Sequence, residues 1–87
     1  MKPVTLEVLT APACAHCHAF LEYWKSIAQD WPNVTMRELS VITPDGQDMA
    51  GTYRIFSSPG IILNNELFAT GGVNHEKFLL QLRSLSE

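Results

Sequence analysis

An α/β fold, with helices on both faces of a mixed four-stranded sheet in the order β-α-β-α-β-β-α, is what this sequence predicts. Three observations carry that expectation. A β-branched and apolar run leads into the clearest amphipathic helix of the chain, a second strand follows that helix, and two short strands flank an Asn-Asn turn before a capped last helix. A helix between two strands implies a parallel pair with a right-handed crossover, and the hairpin adds an antiparallel pair.

The first strand runs from Val4 to Thr10, and its apolar residues point to burial on both faces, with Glu7 the exception. Ala11-Pro12-Ala13 forms a short connection, because proline breaks any continuation. From Cys14 to Trp31 the positions Cys17, Phe20, Leu21, Trp24, Ile27, Ala28 and Trp31 recur at helical spacing, and Pro32 ends the helix. The second strand runs from Val34 to about Val41, with Val34, Met36 and Glu38 alternating with Thr35, Arg37 and Leu39. Thr43 is the N-cap of a short helix with Pro44 at its first position, weakened by Gly46 and Gly51. Tyr53 and Phe56 read as packing residues.

The apolar runs Gly60–Leu63 and Leu67–Ala69 flank Asn64-Asn65, which makes them a hairpin. Gly71-Gly72 interrupts the chain. Asn74 then caps a last helix with Phe78, Leu79, Leu82 and Leu85 inward, and Val73 and Phe78 are spaced for a hydrophobic staple.

At 87 residues, 46% of them apolar and 17% charged, the chain is expected to be one globular domain over residues 1–87, without internal repeat, low-complexity stretch or linker. Six basic residues against nine acidic ones give a net charge of −3, and the basic ones are scattered, so no nucleic-acid footprint is expected. No run approaches the roughly 20 apolar residues that span a bilayer, so no membrane partner is expected. The start Met1-Lys2-Pro3-Val4 lacks the apolar stretch of a secretion signal, and the expected location is cytoplasmic.

Both cysteines lie in one Cys-x-x-Cys, Cys14-Ala15-His16-Cys17. A crosslink closing so short a loop removes little chain entropy, so its purpose is chemical rather than structural. Cys14 stands where a loop turns into a helix, beside unpaired amides and the positive end of the helix dipole. A cysteine so placed can have its pKa lowered from about 8.5 to between roughly 3.5 and 7.5, and the thiolate is the attacking species. Cys14 is therefore the expected nucleophile. Cys17, one turn later on the apolar stripe, is the expected resolving cysteine. On spacing alone the pair is also half of a zinc site or a chance pair; its place between a strand and an amphipathic helix favours redox chemistry.

Over nearly its whole length the chain resembles the thioredoxin and glutaredoxin superfamily. The resemblance rests on Cys14-Ala15-His16-Cys17 after the first strand, Tyr53-Arg54-Ile55-Phe56-Ser57-Ser58-Pro59 before the hairpin, and Gly71-Gly72 before the last helix. The size and element order are closest to the small glutaredoxin-like thioredoxins. The resemblance implies a thioredoxin fold and a thiol-disulfide oxidoreductase acting on protein or small-molecule disulfides, without a cofactor and as a monomer. A reductase or other reductant is the second partner it implies. It also implies a cis Ser58-Pro59 bond, with Pro59 against the Cys-x-x-Cys and the backbone of Ser58 pairing with the substrate chain.

The sequence departs from both parent groups: neither Gly-Pro nor Pro-Tyr stands between the cysteines, and Ala13 replaces the tryptophan that usually precedes thioredoxin's first cysteine. His16 occupies the position of a histidine in protein disulfide isomerase. An imidazolium there favours the thiolate and puts the potential above the about −270 mV of thioredoxin. His18 shares the helix face of Cys14 and is a second candidate to tune the thiol. Glu7 is read as a partly solvated strand-edge carboxylate, with a proton-relay role to Cys17 as the alternative. Gly71-Gly72 resembles part of a glutathione site, but Asn74 stands where an acidic residue is expected and no lysine precedes Cys14.

Three other readings compete. Cys14-Ala15-His16-Cys17-His18 satisfies the c-type haem signature, with Met36 or Met49 as axial ligand, although a strand before the motif and a hairpin after it oppose this. Cys14, Cys17 and His18 offer three zinc ligands, with His75 the one further histidine, and a cluster bridging two chains is the variant some glutaredoxin relatives form. The third is a non-catalytic binding module that keeps the fold.

Overall fold

A computed structural model describes all 87 residues, and the predicted element order is found in it. The elements are β1 (Val4–Thr10), α1 (Ala15–Ile27), β2 (Val34–Ser40), α2 (Pro44–Tyr53), β3 (Gly60–Leu63), β4 (Glu66–Thr70) and α3 (His75–Ser86). β1 runs parallel to β2, with Val4 opposite Val34 and Thr10 opposite Ser40; it runs antiparallel to β3, which pairs antiparallel with β4. The sheet order is β2-β1-β3-β4, a four-stranded mixed sheet. The two inner strands are the most buried of the four, and Gly60–Leu63 is buried throughout.

Alternation along the strands sorts their side chains into two cores. Val4, Leu6 and Val8 of β1 and Ile61 and Leu63 of β3 meet Phe20 and Trp24 of α1 and Phe78 and Leu82 of α3. On the other face Leu9 and Ile62 meet Met49 of α2 and Ile55. α2 covers only the Leu9 end of that face, so Thr5 is exposed and Glu7 half-buried, and β1 is not covered on both sides along its length as its composition suggests.

Local chemistry sets the element boundaries. Thr43 Oγ1 accepts the Gly46 N–H, and Asn74 Oδ1 accepts the Lys77 N–H at 2.9 Å, so both expected caps form. Asn64 and Asn65 take φ of 48° and 64°, the left-handed pair that a tight hairpin turn of right-handed twist requires. α1 ends earlier than its apolar spacing predicts: Ala28–Asp30 tighten into a 3-10 turn, and Trp31 leaves the helix while staying packed on the first core. Phe56 corrects the sequence reading outright, being 94% exposed. Arg54 adopts a left-handed φ of 54°, which turns the chain so that Ile55 takes the buried place. Phe68 falls in a register shift of β4, between Ala69 opposite Ile61 and Leu67 opposite Ile62. No helix is long and apolar enough to cross a membrane.

Candidate active site

The carboxyl end of β1 delivers the chain into Ala11–Ala13, and Ala13 adopts a φ of 55°. Such a left-handed turn costs a residue with a Cβ roughly 1–2 kcal/mol. It leaves Cys14 extended, φ −98° and ψ 106°, in the N-cap position of α1. Cys14 Sγ does the work usually given to a serine or asparagine oxygen, accepting the Cys17 N–H at 3.1 Å. The sulfur is thereby held at the amino end of the helix, where partial positive charge gathers.

Cys17 follows one turn later with its Cα 5.2 Å from that of Cys14, and the two sulfurs form a disulfide. Their exposure differs. Cys14 is half-buried, whereas Cys17, on the stripe with Phe20 and Trp24, is 3% exposed.

A second segment, the one that leads into β3, meets the disulfide. Ser58 Oγ lies 3.4 Å from Cys14 Sγ and donates to it. The Ser58-Pro59 bond is cis, Pro59 is buried, and its carbonyl accepts the Gly71 N–H at 3.0 Å. Gly71-Gly72 is thus anchored to the same segment.

The two histidines of the motif diverge. His18 lines an open hollow of about 540 Å³ together with Thr10, Cys14, Cys17, Leu21 and Glu38. His16 borders a different one, of about 390 Å³, with Phe20, Gly72 and Asn74. Its ring sits so close to Gly72 that a Cβ there would lie 3.7 Å from Cε1. Both side chains are exposed.

Other residues singled out from the sequence lie elsewhere. Glu7 sits on an inner strand rather than an edge, on the face away from α1, and accepts a hydrogen bond from Arg37 Nη2 at 2.6 Å. This places it across the sheet from Cys17 and removes it as a relay. His75, weighed as a further zinc ligand, stacks face to face on Tyr23 with ring centroids 3.6 Å apart. Glu38, which sequence reasoning did not single out, is exposed, accepts the Thr10 hydroxyl on Oε2 at 3.0 Å and lines the same hollow as Cys14 and Cys17. The available signal was its place with Val34 and Met36 on the apolar period of β2.

The family model described as a thioredoxin domain matches residues 4–84. The chain belongs to the thioredoxin family. Among solved structures, the oxidised thioredoxin O2 of Arabidopsis thaliana superposes on this thioredoxin domain with a TM-score of 0.77 at 15% identity, over 99% of this chain and 77% of that one. Thioredoxin f2, in its complex with ferredoxin:thioredoxin reductase, gives 0.77 at 13% identity over 99% and 80%. A thioredoxin-like protein of similar size gives 0.67 at 25% identity over 88% and 97%. A search of curated proteins finds no match. As a member of the family, the chain pairs a thioredoxin fold with two cysteines close enough to cycle between dithiol and disulfide.

Proposed function

We propose that residues 1–87 act as one thioredoxin domain that catalyses reversible dithiol-disulfide exchange with protein substrates. The observation that carries this reading is a disulfide whose more accessible sulfur, Cys14, caps a helix while its partner, Cys17, is buried behind it. In the reducing direction the Cys14 thiolate attacks a substrate disulfide, one substrate sulfur leaves, and a mixed disulfide remains. Cys17 then attacks Cys14 Sγ, expelling the second substrate sulfur as a thiol and closing the Cys14–Cys17 bond. Two electrons pass to the substrate, and a dithiol reductant restores the pair; the reductase bound to thioredoxin f2 is an example of such a partner class.

His16 and His18 are proposed to favour the ionised Cys14, His16 from the Gly72 side and His18 from within the hollow. Ser58 and Pro59 are proposed to receive the substrate chain. Neither backbone polar group of Ser58 bonds to another backbone group, which supports its pairing with an incoming strand.

Equilibration in glutathione buffers of graded potential, followed by alkylation of free thiols, tests the pair. The expected result is reversible, two-electron formation of the intramolecular disulfide, and two thiols alkylated at every potential would refute the reading. In lysate Cys17→Ser is expected to accumulate mixed disulfides through Cys14, whereas Cys14→Ser is not; equal accumulation by both would reverse the assigned roles.

A further inference from the structure

The segment that carries Ser58 also turns one large apolar side chain outward. Phe56 is 94% exposed, and of the five large apolar side chains that the fold leaves exposed it is the most exposed and the one aromatic ring. Ile55 before it and Pro59 after it are buried, so the chain between them is pinned at both ends and holds the ring at the surface. A ring of that size forgoes a large gain from burial, and it does so next to the reactive pair. Ser58 Oγ lies 3.4 Å from Cys14 Sγ, and Phe56 stands two residues before Ser58, at most about 7 Å from it along the chain. No backbone N–H or C=O of Phe56, Ser57 or Ser58 bonds to another backbone group. Exposed apolar surface, unpaired backbone and the more accessible sulfur thus adjoin on one short segment, and unpaired backbone is what an incoming extended chain bonds to.

Resting on the exchange reaction proposed above, we propose that Phe56 is a specificity-determining residue, which selects protein substrates carrying a large apolar side chain about two residues from the reacting cysteine. A substrate chain that lays its backbone along Phe56–Ser58 brings its cysteine to Cys14 opposite Ser58, and a residue two positions away then lies over the Phe56 ring. An aliphatic or aromatic side chain there removes both surfaces from water, a gain that a polar side chain lacks. Residues 55–59 carry no charge, so this segment chooses by apolar contact rather than by ion pairing. A small disulfide with no residue at that distance makes no use of the ring. Phe56 takes no part in the bond exchange itself, whose electrons and protons move as in the reaction above.

Two heptapeptides test this, each with a central cysteine held as a mixed disulfide with thionitrobenzoate. One has leucine two residues to either side of the cysteine, the other has serine there, and alanine fills the remaining positions. Cys14 of the reduced protein attacks the peptide's cysteine sulfur and releases the coloured thionitrobenzoate, so the initial rate reports that step for each peptide. Rates with dithiothreitol in place of the protein normalise for the peptides' own reactivity. Far below saturation the unsubstituted protein is expected to prefer the leucine peptide about tenfold. In Phe56→Ala the preference is expected to fall to within about twofold of unity, whereas Phe56→Leu, which keeps an apolar side chain at that place, retains most of it. The proposal is overturned if the unsubstituted protein shows no preference, if Phe56→Ala keeps the same preference, or if Phe56→Leu loses it as completely as Phe56→Ala. An unsubstituted protein that releases no thionitrobenzoate from either peptide would instead overturn the exchange reaction itself, and the proposal with it.

Discussion

Tyr23 shows how one atom sets a pH dependence. Its ring is stacked on His75 and lies edge-on to Phe78, but its hydroxyl is buried without a partner among the protein's atoms. Burial raises its pKa above the ordinary 10.0, because the phenolate is the form that desolvation penalises. Below about pH 10 the phenol is neutral in folded and unfolded chains alike and contributes no pH dependence. As the pH climbs past about 10 the unfolded chain loses this proton first, so stability falls until the folded-state value is passed. Tyr23→Phe keeps the ring and removes the orphaned hydroxyl. It is expected to be neutral or to stabilise by up to about 1 kcal/mol near neutrality, and to flatten the alkaline decline. Urea midpoints at about pH 8 and about pH 10.5 check both parts, and a Tyr23→Phe protein as sensitive to alkali as its parent would refute the assignment. At this scale the cysteines were legible because their chemistry is written in their spacing. The tyrosine was not, since nothing in the sequence around residue 23 says where its hydroxyl ends.

Within α2, two glycines that look alike in the sequence do opposite things. A Cβ on Gly46 would overlap the Ser40 carbonyl, because the first turn of α2 sits directly on the end of β2, whereas a Cβ on Gly51 would meet nothing within 4 Å. Gly46→Ala is therefore expected to cost at least about 1–3 kcal/mol by forcing the helix off the strand. Gly51→Ala is expected to stabilise by roughly 0.5–1 kcal/mol, since it removes backbone freedom from the unfolded chain without a new contact. Urea denaturation of the two variants measures both signs, and a stabilising Gly46→Ala would show that the helix can move away from β2 at little cost. Propensity alone marks both glycines as weak points, because it contains no information about the neighbouring strand. The caps at Thr43 and Asn74 and the Asn64-Asn65 turn were readable for the converse reason: each is decided by a side chain and its own next few backbone groups. The end of α1 falls between these cases, since the 3-10 turn at Ala28–Asp30 leaves the three-and-four spacing almost intact while the helix has already stopped.

Across the whole molecule, what could not be read was which side of an element its neighbours cover. The inner strands, the order of elements and the cysteine pair follow from local pattern, but the exposure of Phe56 and the place of Glu38 on the hollow that Cys14 and Cys17 line depend on how α1, α2 and the Ile55–Pro59 segment settle on the sheet. Two phenylalanines measure the difference. Phe78, fully buried on α3, meets Phe20 of α1 edge-on at 5.2 Å, Trp24 at 6.3 Å and Phe68 of β4 at 5.9 Å, so one ring joins three elements. Removing it leaves a cavity that three separate elements would have to close together, and Phe78→Ala is expected to cost about 3–5 kcal/mol. Against the roughly 4–13 kcal/mol that a chain of 87 residues commands, that is a large share, and the urea midpoint should fall sharply or the transition vanish. Phe56, 94% exposed, has no such contacts to lose, and Phe56→Ala is expected to stay within about 0.5 kcal/mol of its parent. Comparable losses from both substitutions would mean that Phe56 is buried in solution, and the path of the chain from Arg54 to the cis Pro59 would then be wrong.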